Sequence, residues 1–268
     1  MSAIHDHDGR VASGDRADAL PAIRKITFSD VTAALGKGMS DFWRRPSHYV
    51  FLFILYPVLG FVIGIWTSGG NAFQLLYPIA TGFALLGPVV ALGLYELSRR
   101  REAGEDDEPR HAFEVLRSPA LPQILIVGLL LAALFIAWLA TAQAIYGAFF
   151  GTAVPADFWA WMGELVTTPR GWGLILVGNA VGLIFALVVL ATTVVAFPML
   201  VDRGGSAWDA VHTSIRAVRA NPAPMLFWGV IVVAALIVGA IPLLVGLAVV
   251  LPVLGHATWH LYRAVVEE

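Results

Sequence analysis

Long apolar runs alternate with short polar segments along most of this chain. Four runs are long enough to cross a bilayer, because a helix needs about 20 apolar residues to span roughly 30 Å of hydrocarbon. They are His48–Trp66, Phe73–Leu97, Leu121–Tyr146 and Trp172–Leu200. A fifth run, Met225–Val265, is too long for one crossing. We interpret it as two helices joined by a tight turn near Gly239–Leu243; the alternative is one crossing followed by a long buried or interfacial helix.

Amphipathic segments precede the first, third and fifth spans. In the first segment, apolar side chains recur at helical spacing at Val31, Leu35, Met39 and Phe42. The segment before the fifth span shows the same spacing and begins at Ser206, which fits an N-terminal capping box. A shorter amphipathic segment precedes the third span. We expect these segments to lie as helices in the cytoplasmic interface, or to cover the ends of the bundle by ordinary packing; the two are compatible.

The chain shows an internal repeat. Pro88–Arg99 aligns with Pro252–Arg263, and each segment closes a pair of predicted spans. Together with the amphipathic segments, this alignment predicts three copies of one unit, a cytoplasmic amphipathic helix followed by a transmembrane pair. The units are about 27–100, 109–203 and 206–266. The expected fold is therefore an all-α, polytopic membrane helical bundle with six transmembrane helices.

The composition indicates that lipid, rather than water, surrounds most of the surface of the folded protein. The chain is 58% hydrophobic and only 13% charged, whereas soluble domains carry about 25% charged residues. Cysteine is absent, which excludes disulfides, thiolate metal sites and cysteine nucleophiles. Residues 1–22 form a polar segment without periodicity, which predicts a disordered cytoplasmic tail and no cleaved signal peptide. Residues 23–268 are expected to form a single integral membrane domain.

Basic residues are distributed unevenly between the two predicted sides. With six spans, all of the 17 Lys and Arg residues except Arg170 fall on one side. The positive-inside rule therefore predicts that both termini are cytoplasmic, in a multi-pass protein of the bacterial inner membrane. Five spans would put Arg263 on the opposite side.

Two histidines supply the first candidate site. His256 and His260 are one helical turn apart, so both could bind one metal or haem iron, and the repeat places Glu96 near the same level as a third ligand. Interfacial hydrogen bonds of the histidines, or an ion pair between Glu96 and an arginine, are the simpler alternative. No cofactor is firmly indicated.

A few polar residues within the spans supply the second candidate site. Gln143, Asn179 and Thr193 could line a transport path, although such residues more often form interhelical hydrogen bonds. Water channels use two Asn-Pro-Ala triplets, and this chain has one, at Asn221–Ala223. We interpret that triplet as the boundary between an amphipathic helix and a span.

Two segments resemble signatures of a bacterial family of predicted integral membrane proteins, the domain-of-unknown-function family 2189. They are Phe83–Glu102 (FALLGPVVALGLYELSRRRE) and Leu251–Arg263 (LPVLGHATWHLYR), and the resemblance runs from about Ile23 to Val265. The resemblance implies a membrane helical fold and no defined activity. Some members carry an automatic label as cytochrome c oxidase subunit I. That class needs buried histidines on several helices, whereas this chain offers two on one helix.

The sequence favours a non-enzymatic accessory or scaffold component of a membrane complex, because it contains no nucleophile elbow, phosphate loop or charged relay. Its expected partners are the lipid bilayer and another membrane complex or further copies of the chain, with no nucleic acid. A small-solute transporter or channel, and a respiratory-oxidase-associated protein with a metal or haem site, are the alternatives.

Overall fold

A computed structural model of the protein describes residues 20–44, 73–152, 157–242 and 245–267, and these residues are almost entirely helical. The predicted tail up to residue 19 and the predicted span His48–Trp66 lie outside the described residues. The described helices are α1 (Phe28–Arg44), α2 (Phe73–Leu85), α3 (Gly87–Val90), α4 (Leu92–Glu102), a 3₁₀ helix (Pro109–Arg117), α5 (Leu121–Phe150), α6 (Phe158–Thr167), α7 (Pro169–Thr193), α8 (Ala196–Arg203), α9 (Ala207–Ala220), α10 (Pro222–Ala240) and α11 (Leu247–Val265).

Three described stretches are long and apolar enough to cross a membrane. They are Leu121–Phe150, Pro169–Arg203 and Pro222–Ala240. The first two coincide with the third and fourth predicted spans. The last apolar run divides into α10 and α11, as its length indicated, and the two helices meet closely, since a Cβ on Gly246 would lie 2.7 Å from the carbonyl oxygen of Gly239.

The second predicted span is not one continuous helix. Turns at Leu86 and Ala91 divide it into α2, α3 and α4. Pro88 has no backbone N–H and occupies the first turn of α3, where that donor is not needed. A similar break separates α7 from α8 at Val194, since Pro198 cannot donate to its carbonyl.

Helix α11 lies at the centre of the larger of the two hydrophobic cores among the described residues. Helices α1, α4, α8 and α10 pack around it. Its inner face contributes Trp259, Leu261 and Tyr262, which are buried almost completely. This core lies at the end of the bundle that carries Arg99–Arg101, Arg203 and Arg263, and we call it the arginine-rich end.

The three amphipathic segments all pack at the arginine-rich end, in two helical forms. The first and third are the α-helices α1 and α9, whereas the second is a 3₁₀ helix. The buried stripe of α1 consists of Val31, Ala34, Gly38, Asp41 and Phe42. Leu35 of the predicted stripe also packs against this core, whereas Met39 is exposed. The small residues at 34 and 38 let α1 approach α11 closely.

The two ends of the described domain are joined by a short antiparallel contact. Ile23 bridges Val266, and the backbone N–H of Arg24 donates to the carbonyl of Val265 at 2.8 Å. The Asn221 side chain holds the same segment, accepting from the N–H of Ile26 and donating to the carbonyl of Arg24, both at 2.9 Å. Asn221 also lies between α9 and α10, which agrees with its interpretation as a boundary.

Candidate functional site

A cluster of polar side chains is buried between α1, α4 and α11. It consists of Asp41, Ser98, Arg101, His256 and His260, and we call it the Asp41 cluster. The Asp41 carboxylate lies 2.8 Å from Nε2 of His260 and 3.0 Å from the Arg101 guanidinium. The Ser98 hydroxyl lies 2.7 Å from Nδ1 of His256 and 3.5 Å from the Asp41 carboxylate. The cluster thus links three helices that are far apart in sequence.

Helical spacing places each member of the Asp41 cluster. Asp41 continues the buried stripe of α1, Ser98 and Arg101 are three residues apart on α4, and the two histidines are four apart on α11. A buried carboxylate is costly unless it is paired with positive charge and hydrogen-bonded. Burial raises the pKa of Asp41, but hydrogen bonds from His260 and Arg101 and their positive charges outweigh it, and the pKa falls to about 2.

The cluster does not have the geometry of a hydrolytic triad. In a triad, the acid holds the imidazole, which in turn activates the hydroxyl. Here Asp41 contacts the Ser98 hydroxyl and His260, whereas Nε2 of His256 has no partner among the described residues. Ser98 is only 2% exposed, so a substrate could reach it only if the helices separated. The arrangement can hold helices together.

The three residues of the predicted metal site make separate contacts. The Glu96 carboxylate forms ion pairs with Arg99 at 2.8 Å and Arg100 at 3.4 Å. Pairing of Glu96 with an arginine was the alternative to the metal site. His256 and His260 face Ser98 and Asp41. Within the described part of the chain, no three His, Asp or Glu side chains are grouped as ligands of one ion. A metal or haem site therefore stays a prediction, and metal content with and without His256→Ala would test it.

The residues of the predicted transport path lie at separate places. Gln143 is exposed on α5, and Asn179 is exposed on α7, where it accepts a hydrogen bond of 2.6 Å from the Tyr77 hydroxyl. Thr193 is buried and donates to the carbonyl of Val189 at 2.7 Å. No described contact joins the three, and the path also stays a prediction.

A second polar cluster joins the carboxyl ends of α4, α8 and α11. The Tyr262 hydroxyl donates to Oδ2 of Asp202 at 2.6 Å. Arg263 contacts both Asp202 and Glu102, and the Trp259 indole donates to Glu102 at 3.0 Å. The alignment of Pro88–Arg99 with Pro252–Arg263 gave the only sequence signal for this cluster, since it placed two of these helix ends at one level.

A cleft of about 380 Å³ opens between the 3₁₀ helix, α4 and α8 at the arginine-rich end. Its polar lining consists of Glu96, Arg99, Glu114, Arg117, Ser118 and Asp202. Beside it, the His111 imidazole lies 2.5 Å from Glu114 and 3.0 Å from Asp106. Hydrogen bonds to Glu114 and then to Asp106 raise the pKa of His111. No pattern in the sequence indicated this cleft.

Comparison with known families agrees with the apolar helices. Residues 76–202 match the family model described as predicted integral membrane protein (DUF2189). The segment Phe83–Glu102 lies inside the matched region, and Leu251–Arg263 lies beyond it. No curated protein and no solved structure matches the chain. The protein is therefore an integral membrane protein with helices able to span a membrane, and it matches the DUF2189 family over residues 76–202.

Proposed function

We propose that the protein is a non-enzymatic accessory or scaffold component of a complex in the bacterial inner membrane. The observation that carries this proposal is that its buried polar groups form hydrogen bonds and ion pairs between helices. Asp41, Ser98 and His260 bind one another across three helices, and Asp202 and Tyr262 join two further helix ends. Polar groups committed to holding helices in place are typical of a structural role.

The proposed complex component has six spans and both termini in the cytoplasm. The contact between Ile23 and Val266 supports an even number of crossings, because both ends of the domain must then lie on one side of the bilayer. The arginines at the same end support a cytoplasmic position for it. The carboxyl ends of α4, α8 and α11 lie together. Each of these helices is the last one of a predicted unit, so their contact supports three equivalent units.

The amphipathic segments supply contacts with lipid. Trp43 on α1 and Trp208 on α9 are 68% and 77% exposed, and Phe113 and Leu116 are exposed on the 3₁₀ helix. Tryptophan and other large apolar side chains at helix ends favour the membrane–water interface. These side chains support a belt of anchors around the arginine-rich end.

Among the three described stretches able to span a membrane, the one that contains α7 is the least buried within the chain and offers a face to a partner. Only 6% of the most apolar window of Pro169–Arg203 is buried inside the chain, and Leu176, Leu183 and Ile184 are exposed. Ala180, four residues after Leu176 and four before Ile184, is exposed on the same face. Small residues on such a face let a second helix approach closely. We assign this face to the partner, and lipid covers the remaining apolar surface.

The test compares substitutions on two exposed helix faces. Ala180→Leu on α7 changes the proposed contact, and Ala133→Leu on α5 is the matched control, because both alanines are exposed. We expect native extraction to recover a defined membrane complex with the wild type and the control, and free protein with Ala180→Leu. Substrate turnover by the purified protein alone, or equal assembly of both variants, would contradict the proposal.

A further inference from the structure

The cleft at the arginine-rich end has the chemistry of a site for a zwitterionic phosphate ester. Its lining brings two arginines, a hydroxyl and three carboxylates to one opening of about 380 Å³. Ligand sites for small molecules start at about 300 Å³. A headgroup without its acyl chains is at the small end of that range.

Among the described residues, Arg117 provides an unpaired positive charge at the edge of the cleft. Glu96 is paired with Arg99 and Arg100, and Glu114 is paired with Arg100 at 2.7 Å. The Arg117 guanidinium, in contrast, has no hydrogen-bond or ion-pair partner in the described part of the chain. An exposed guanidinium beside paired carboxylates favours an anion, and its planar donors suit a phosphate.

Ser118 adds a donor next to Arg117. Its hydroxyl oxygen accepts from the backbone N–H of Ala120 at 3.1 Å, and its own proton is left for a ligand. The two adjacent side chains therefore form one phosphate-binding edge of the cleft.

Asp202 provides a matching acceptor on the opposite wall. Its hydrogen bonds within the described residues, from Tyr262 at 2.6 Å and Arg263 at 3.4 Å, both use Oδ2. The second carboxylate oxygen, Oδ1, is left to accept from a primary ammonium. A choline group has no N–H to donate, and glycerol carries no positive charge, so this acceptor distinguishes among headgroups.

The position of the cleft along the bundle suits a lipid. Arg117 lies four residues before α5 begins, and Asp202 lies at the end of the apolar stretch Pro169–Arg203. Both walls therefore flank helices able to span the membrane, at the level where headgroups lie. Phe113 and Leu116 are exposed on the same 3₁₀ helix, where acyl chains would cover them.

We propose that this cleft binds the phosphoethanolamine headgroup of a membrane phospholipid, with the phosphate on Arg117 and Ser118 and the ammonium on Asp202. The site rests on the membrane placement in the proposed function, and it is independent of any scaffold partner. Bound lipid would fix the 3₁₀ helix against α4 and α8.

The experiment measures lipid retained by the purified full-length chain in detergent, by native mass spectrometry, with phosphatidylethanolamine, phosphatidylcholine and phosphatidylglycerol added in turn. We expect selective retention of phosphatidylethanolamine by the wild type and affinity weakened by about tenfold in Arg117→Gln, the loss of one charge-assisted contact. Arg110→Gln is the matched control, since Arg110 lies on the same 3₁₀ helix, pairs with Asp106 and Glu108, and does not line the cleft.

Each other outcome would overturn the proposal. Equal retention of the three lipids would remove the role of the ammonium, and unchanged binding by Arg117→Gln would remove the phosphate edge. Binding of soluble glycerophosphoethanolamine without retention of the lipid would place a soluble ester in the cleft and overturn the membrane assignment. If the protein assembles with its partner but retains no lipid, the lipid site is wrong and the proposed function is unaffected.

Discussion

Gly38 on α1 lies directly against Ala257 on α11. A Cβ at position 38 would come within 2.5 Å of the Ala257 backbone nitrogen and 2.6 Å of its Cβ. Such distances do not occur in packed proteins, so any side chain at position 38 must push the two helices apart. The Asp41 cluster lies one turn further along α1 and depends on the same approach.

Replacement of Gly38 by alanine should therefore loosen α1 from α11. We expect a loss of about 1–3 kcal/mol in the free energy of unfolding, the usual cost of overpacking. Gly36→Ala is the matched control, because a Cβ there meets nothing within 4 Å, and it should gain about 0.5–1 kcal/mol from helix propensity. Thermal unfolding in detergent measures both. Equal effects of the two substitutions would show that the close approach is absent.

Asn221 should control how tightly the segment before α1 is held. Its side chain is 3% exposed and satisfies the backbone groups of Arg24 and Ile26, so Asn221→Ala would leave both unpaired at a cost of about 1–3 kcal/mol. We expect faster tryptic cleavage after Arg24 and Lys25, by about tenfold for each 1.4 kcal/mol. Asn179→Ala, which removes an asparagine far from this segment, is the control and should leave the cleavage rate unchanged.

The distribution of apolar residues was enough to predict the long helices, because lipid imposes one length and one composition on any span. The same pattern could not predict the breaks at Leu86 and Val194. Each break lies beside a proline of a kind that other spans tolerate. At the second break the backbone N–H of Val195 donates to the Ser214 hydroxyl at 3.2 Å, a partner that only the packing defines.

The contacts of the buried polar groups were even harder to predict from the sequence. His256 and His260 were candidate metal ligands because they are ionisable residues at membrane depth, yet they contact Ser98 and Asp41. Asp41 and His260 are 219 positions apart, and no periodicity relates them. One sequence signal was available, since Asp41 follows Val31, Ala34 and Gly38 at helical spacing, and an acid on a buried stripe requires a partner.

The Asp41 cluster should make stability depend on acid. The pKa of Asp41 is lowered to about 2 from 3.8, so its stabilising contribution is complete above 3.8 and is lost as the pH falls through about 2. Asp41→Asn should therefore unfold more easily than the wild type near neutral pH, and the difference should shrink in acid. Asp209→Asn, in the first turn of α9 and outside the Asp41 cluster, is the control for removal of one negative charge. A difference that does not change with pH would contradict the role of ionised Asp41.

His111 should contribute with the opposite pH dependence. Its pKa is raised by hydrogen bonds to Glu114 and Asp106, so its contribution is complete below the unfolded pKa of about 6.5 and is lost as the pH rises through the higher folded value. The thermal midpoint of the wild type should exceed that of His111→Gln in mild acid and converge with it in alkali. His212→Gln serves as the control, and convergence toward acid would show that the pairing with Glu114 is wrong.

Both ends of the domain should lie on one side of the membrane, because Ile23 and Val266 share a backbone contact, and the arginines at the same end predict that this side is cytoplasmic. An odd number of crossings would separate them by roughly 30 Å of hydrocarbon, which no hydrogen bond can bridge. A fluorescent protein that folds only in the cytoplasm should be fluorescent when fused after Glu268, and alkaline phosphatase, active only outside, should be active when inserted at the turn after Gly151. The turn at Gly104, beside the arginines of α4, provides the cytoplasmic control for the insertion. A dark fluorescent-protein fusion after Glu268, together with activity of alkaline phosphatase fused at the same position, would place the carboxyl end outside and contradict both the even count and the terminal contact.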